Sequence, residues 1–335
     1  MNPFRAALLM ALLAGCASPT IARPQVEIRN HTRWMDTDGR PIDCHEGGIL
    51  RVADTFYWVG RSYQGNVDGI FGAEGARFRC GFVCYSSTDL VHWKNRGSVL
   101  SYPSSGFLTR GTWHRPRMIF NAKTGKYVLW FFMFPDGTKS TFTMVVATAD
   151  APTGPFTVLT GEGFHVGGDL IAFLDRDGRG YLCYEEGRKI RVQELTPDFL
   201  NLTGPVTVAL QDGKQHEGSS LAYYKGRYLL AGSDVVGLNP SETVYAVADA
   251  PLGPYEYKGL MSEQKTWRSQ ICGFVYVAES DRLIAMCDQW LTGPDGKRAS
   301  GEESSLLWLP VRFDPRTGVA RLEPVESWNP WEPER

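Results

Sequence analysis

Three carboxylates stand in comparable places in three separate parts of the chain. Glu46 lies 11 residues before Tyr57, Asp169 lies 12 before Tyr181, and Glu217 lies 11 before Tyr228. Two other polar residues sit at similar offsets: His114, 13 before Tyr127, and Gln270, 13 before Leu283. Carboxylates that converge on one cleft suit hydrolysis of a glycosidic bond. An inverting reaction needs a protonated acid for the leaving oxygen and an ionised base for water, roughly 6.5–9.5 Å apart. A third carboxylate can hold the acid's pKa up by like-charge repulsion.

Such convergence needs elements that repeat. Five segments share one plan of apolar run, polar turn and aromatic-rich run, which reads as a β-hairpin. They are residues 47–60, 117–131, 172–184, 220–232 and 274–286, each followed by a third strand at 82–93, 144–156, 190–200, 244–255 or 306–314. Copies two and four also share Ala-Asp-Ala-Pro-x-Gly-Pro. Long helical periodicity is nearly absent. The chain is expected to be all-β, a five-bladed β-propeller with small sheets around a central channel. A β-sandwich is the alternative, but it leaves five copies of one hairpin unexplained.

In a propeller the first strand of each blade lines the channel. Its start and the end of the second strand share a rim, because a hairpin reverses direction. The rim should therefore carry the three carboxylates with His114, Gln270, Arg61, Glu185, Asp234, Asp288 and Trp290. Trp290, Trp113 and Tyr63 are expected to stack on sugar rings.

Composition narrows the partners. With 35 basic and 37 acidic side chains the formal charge is -2, which argues against nucleic acid. The hydrophobic fraction of 43% and aromatic fraction of 12% exclude a disordered chain. Residues 1–15 read as a lipoprotein signal peptide: Arg5, an apolar run too short to span a bilayer, then Leu13-Ala14-Gly15-Cys16. Lipidation of Cys16 is expected, with ordinary cleavage near Ala17 as the alternative. Residues 16–27 would be a tether, and 28–335 one catalytic propeller. This implies an exported monomer, touching a bacterial membrane only through its lipid. Six further cysteines permit disulfides, and Cys272 and Cys287 flank one hairpin, but no pairing follows from spacing. No spacing suggests a metal site, and no cofactor is expected.

The same residues carry a resemblance to glycoside hydrolase family 43. HEGGILRVADTFYWVG is similar to that family's first-blade motif, with Glu46 on the position of the general base. GGDLIAFLDRDGRGYLCY resembles the third, with Asp169 on the pKa-modulating aspartate. HEGSSLAYYKGRYLLAG resembles the fourth, with Glu217 on the general acid. The resemblance spans about residues 28–330 and implies a propeller and an inverting mechanism.

Within the family, the chain looks most like the exo-β-1,3-galactanase branch. The shared strings are Trp34-x-Asp-Thr-Asp-Gly, His45-x-Gly-Gly-Ile-Leu, Cys84-Tyr-Ser-Ser-Thr-Asp-Leu-Val, Arg115-Pro116, Gly237-x-Asn239-Pro240, Ser269-Gln270 and Trp308-Leu-Pro. The resemblance implies exo action on β-galactan or arabinogalactan-type chains, with Gln270 standing in for the base. Alternatives are an α-L-arabinofuranosidase or β-xylosidase activity, and a non-catalytic carbohydrate-binding propeller. Three departures stand out: Glu46 replaces a Gly of that branch, and Arg61 and His114 each replace a Glu.

Those departures suggest that Arg61 and His114 bind a carboxylate on an acidic sugar. The competing reading is an internal ion pair of Arg61, for example with Glu185. His45, Gln270 and Asn239 complete the expected substrate contacts, although His45 and Gln270 also fit as satisfied structural residues. His216 is read as shaping its loop, and Asp175-x-Asp-Gly as a turn.

Overall fold

The computed structural model describes residues 24–334 except 64–80, 104–106, 136–141, 160–164, 237–238, 290–292, 294, 296 and 298–303. Cys16, Cys80, Trp290 and residues 1–23, with most of the expected tether, lie outside the described residues. Five separate antiparallel sheets follow one another along the chain. Their innermost strands are His45–Val52, Gly111–Asn121, Gly168–Leu174, His216–Tyr224 and Gln270–Val277. Each packs against the next, and the fifth packs against the first, which closes a ring of five blades. The expected five-bladed propeller is the fold.

The hairpin segments form the two inner strands of every blade, and the third strands fall within the stretches expected. A fourth strand completes each blade, although in blade two its place is shared by two short pieces, Thr157–Val158 and His165–Val166. The string shared by copies two and four makes the same turn twice. Gly154 N donates to Ala151 O at 3.0 Å and Gly253 N to Ala250 O at 2.9 Å. Asp175 also lies in a turn, where Gly178 N donates to its carbonyl.

The hydrophobic core is divided into five layers, one between each pair of neighbouring blades. Central strands are covered on both faces, so they read as continuous apolar runs such as Val128–Phe132 and Leu306–Leu309. The layer between blades five and one holds Trp58, Trp93 and Trp308, with ring centroids 5.1–6.0 Å apart in edge-to-face contact. The chain ends latch the same seam. Ile28 pairs with Trp328 and Arg29 with Ser327. The Asn30 side chain donates to Trp308 O at 3.0 Å and accepts from Trp308 N at 2.9 Å.

Cys44, Cys84, Cys183, Cys272 and Cys287 are all buried free thiols. Cys272 and Cys287 do not face each other. The extra residue of a bulge sets Ile271 opposite Cys287 and leaves Cys272 between steps of the ladder.

Candidate active site

Every inner strand carries a bulge at the same level. Pairing runs through His45–Arg61, His114–Phe132, Gly168–Glu185, Glu217–Ser233 and Gln270–Asp288. One extra residue then slips in before the ladder resumes at Gly48, Arg117, Ile171, Ser220 or, just past Ile271, at Gly273. This register defines two tiers. His45, His114, Gly168, Glu217 and Gln270 form one; Glu46, Arg115, Asp169, Gly218 and Ile271 form the next. Counting from the tyrosines placed Glu217 level with Glu46 and Asp169, whereas it stands one residue earlier. Those tyrosines are not equivalent, because Tyr57 faces Leu50 two steps from its turn while Tyr228 faces Tyr223 one step from its own.

The second tier is left-handed in four blades, with φ of 56° at Glu46, 50° at Arg115, 42° at Asp169 and 68° at Gly218. Such bulges re-aim side chains at the cost of local strain. Gly218 has a further reason to lack a side chain. A Cβ there would meet Ser233 Oγ at 2.8 Å and Arg115 Nη2 at 3.1 Å.

Glu217 is buried, and its Oε1 accepts from Val236 N at 3.1 Å and Gln270 Nε2 at 3.2 Å. Burial, then the Asp169 carboxylate, push its pKa up to about 7. The Val236 amide, Arg115 and Gln270 oppose that rise. Glu217 is thus poised to hold a proton near neutral pH and release it, as a general acid must. Asp169 is held by Arg115 Nε at 3.2 Å. Arg115 also reaches Ile271 O at 3.5 Å, so one guanidinium ties blades two, three and five. Gln270 gives its second amide bond to Ser233 Oγ at 2.9 Å.

Glu46 is bound on every side. Its Oε1 accepts from Arg61 Nη1 at 3.1 Å and Tyr63 OH at 3.2 Å, and its Oε2 from Arg115 N at 3.1 Å and His114 Nδ1 at 3.0 Å. Burial favours the neutral acid, but His114 and Arg61 more than reverse this and hold the carboxyl well below the usual range. Burial foremost, with Arg61, lowers the pKa of His114 against the pull of Glu46. Its Nδ1 lies 3.0 Å from both Glu46 Oε2 and Arg61 Nη1, and its Nε2 lies 3.0 Å from Thr112 Oγ1. Arg61 is completely buried, and among the described residues it pairs with Glu46, not Glu185. Glu185 instead accepts from Arg188 N. The internal ion pair forms, with a different acid from the one expected.

Beneath this layer Arg117 crosses the channel. It donates to Glu46 O at 2.5 Å, to Pro116 O at 2.9 Å and to Cys272 O. Burial lowers its pKa to about 10.

The family model for glycosyl hydrolases family 43 matches residues 41–271. The chain belongs to glycosyl hydrolases family 43. A β-1,3-galactosidase of the family, solved with galactodeoxynojirimycin, superposes with a TM-score of 0.78 at 25% identity, covering 90% of this chain and all of that one. An exo-β-1,3-galactanase from Phanerochaete chrysosporium, solved with β-1,3-galactotriose, gives 0.76 at 27% identity over 91% of this chain and 68% of the other. Among curated relatives, a β-D-galactofuranosidase of Aspergillus niger is 24% identical over 70% of this chain and 71% of its own. An arabinoxylan arabinofuranohydrolase of Bacillus subtilis is 24% identical over 75% of this chain, which spans only 56% of that protein.

This family 43 glycosidase places several expected contacts elsewhere. His45 is fully buried, with Nδ1 3.5 Å from Asp288 and Nε2 3.6 Å from Asp43. Burial lowers its pKa, but these carboxylates, Asp288 foremost, raise it further, so it is a strut between two buried acids. Trp113 is also fully buried, donating to Leu108 O at 3.1 Å, and Tyr63 is buried against Glu46. Neither presents a face for stacking. Asn239 is exposed and donates to Val236 O at 2.9 Å, which braces the loop that binds Glu217. His216 shapes its loop as expected, bonding Asp212 at 2.8 Å. Sequence reasoning missed Arg115 as the hub and Ser233 as the support of Gln270. The signal for Arg115 was Arg115-Pro116 at the offset where other blades carry acids.

Proposed function

We propose that this hydrolase removes galactosyl residues from the non-reducing end of a β-1,3-linked galactan or arabinogalactan-type chain, with inversion. The observation that carries the reading is the Glu217 carboxyl, raised to about 7 beside Asp169 and in contact with Gln270. Glu217 gives its proton to the glycosidic oxygen as the bond to the anomeric carbon breaks. Asp169 keeps that proton in place at neutral pH and is itself oriented by Arg115.

The nucleophile is a water on the opposite face of the sugar, which a base would ordinarily activate. Glu46 is poorly suited to that role, because both its oxygens are taken and its proton affinity is low. Gln270 is the better candidate to hold the water. It must first leave Glu217, since an inverting pair needs a gap of roughly 6.5–9.5 Å and these groups are 3.2 Å apart. The similarity to structures solved with galactose-type ligands supports the substrate class. The occupied Arg61–Glu46–His114 cluster favours a neutral sugar over an acidic one.

The deciding experiment is incubation with β-1,3-galacto-oligosaccharides, following the anomer released by NMR. Release of α-galactose supports the reading. Release of arabinose from arabinoxylan, with galactan untouched, would replace it by the arabinofuranosidase alternative. Binding without turnover of either would return the carbohydrate-binding alternative. We further propose that the protein is exported and lipid-anchored through Cys16. A Cys16→Ser variant that stays in the membrane fraction would overturn the anchor.

A further inference from the structure

The chain that delivers Gln270 is wound the wrong way. Gln264–Arg268 form one helical turn. All five residues have positive φ, from 49° at Thr266 and Trp267 to 65° at Arg268, and none is glycine. Side chains disfavour this conformation, and even single non-glycine residues visit it rarely. A run of five persists only where the surroundings over-determine it.

The surroundings converge on one hydroxyl. Thr266 is fully buried, and its Oγ1 donates to Ser241 O at 2.7 Å. Having one hydrogen, it must accept from Thr243 Oγ1 at 2.9 Å and from Ser262 Oγ at 2.7 Å. Ser262 Oγ in turn accepts from Thr243 N at 2.9 Å. Every member is satisfied, as a buried polar network requires. Beyond it, Gln289 donates to Trp267 O at 3.1 Å, and Ser305 holds Gln289 at 2.8 Å.

Two chains of residues lead from this hub to the same carboxylate oxygen. On one side Thr266 runs through Ser269 to Gln270, whose amide donates to Glu217 Oε1. On the other, Thr266 Oγ1 donates to the carbonyl of Ser241, a short way along the chain from Val236, whose N–H donates to that oxygen. Ser241 N also donates to Ser269 O at 3.4 Å, which joins the two arms.

We infer that the left-handed turn, pinned through the Thr266 hydroxyl, is a positioning device that sets the Gln270 and Val236 donors against Glu217 Oε1. The inference rests on Glu217 being the general acid. Both bonds favour the ionised carboxylate, so they hold its proton affinity down against burial and Asp169. Thr266 touches no substrate and acts through Gln270 and Val236. Asp169 and Arg115 are the charged groups facing Glu217, and substitution at Thr266 leaves both in place.

The test compares Thr266→Val, which keeps the shape and removes the hydroxyl, with Thr266→Ser, which keeps the hydroxyl. Thermal melts and the pH dependence of kcat and KM are measured on a galacto-oligosaccharide. In Thr266→Val the donors loosen, so the alkaline limb of kcat/KM, which reports the free enzyme, moves to higher pH. A misplaced Gln270 lowers kcat about tenfold at the optimum while KM stays close to the parent. Thr266→Ser restores both. A Thr266→Val protein with the parent's kcat and alkaline limb overturns the inference, even if it melts earlier. Should that variant not fold, Ser262→Ala removes one donor from the hub. A smaller upward movement of the limb then supports the inference, and an unchanged profile overturns it. Glu217→Gln is run alongside. If it stays active, the acid assignment falls; if it is inactive while Thr266→Val behaves as parent, only the positioning role falls.

Discussion

Gln270 Nε2 and Glu217 Oε1 are 3.2 Å apart, although the two residues come from neighbouring blades and lie 53 positions apart in the chain. They occupy the same tier of equivalent strands. The ring brings matching positions together, and the bulge decides which side chains reach one another.

Glu217→Gln should abolish turnover, by about 10²-fold or more, while the fold is kept. A single-turnover assay with circular dichroism checks both. Near-parent activity in that variant refutes the acid assignment.

The same substitution should alter stability in a pH-dependent way. The folded pKa of Glu217 is raised, so its contribution is fully present below the unfolded value near 4.5 and is lost as pH rises through about 7. Glutamine does not titrate. Melting temperatures of Glu217→Gln should therefore gain on the parent between pH 5 and pH 8. A constant difference across that range contradicts burial of the carboxyl.

Asp169→Asn removes the charge that helps hold the proton on Glu217, and it frees Arg115. Both changes lower the pKa of Glu217. The alkaline limb of kcat should shift to lower pH, with activity at pH 7 falling further than activity at pH 5. An upward shift would show that Asp169 acts in another way.

Glu46→Gln distinguishes a base from a clamp. As a clamp, its loss breaks the buried pair with Arg61, a change that costs about 3–5 kcal/mol. The expected outcome is a much lower melting temperature with kcat near the parent's in the folded protein. Unchanged stability with activity abolished would restore Glu46 to the base role. Because the folded pKa of Glu46 is depressed, its stabilisation is present above about 4.5 and fades as pH falls below that. The parent's advantage in melting temperature over Glu46→Gln should therefore shrink as pH falls below about 4.5.

Gly218→Ala places a Cβ 2.8 Å from Ser233 Oγ in a left-handed position. It should cost about 1–3 kcal/mol and lower kcat as Ser233 and Arg115 are displaced. Parent-like stability would show that the bulge relaxes freely.

The blades were readable because each repeats one hairpin, and all five inner strands fall where the repeat put them. The rim was readable for a similar reason, since Asp169, Glu217 and Gln270 share strand starts. What the offsets could not carry was the bulge, which moves the side-chain phase by one residue without leaving a gap in sequence. The Glu46 cluster had a signal that was read in pieces. An acid appears at 46 together with cations or imidazoles at 61 and 114, and these three exchanges compensate one another in space. Burial of Trp113 and His45 follows from the covering of strands on both faces, which aromatic type alone does not reveal.

The five separate core layers have a consequence for how the chain holds together. In a linear stack of repeats, the outermost units need polar caps. A closed ring has no outermost unit, and every blade is lid to two neighbours. Excising one blade strips two layers at once, so partial rings have no resting state to fall back on. The seam held by Ile28 with Trp328 and by Asn30 with Trp308 is where the circle was joined, and it is where a cut circle would first come open.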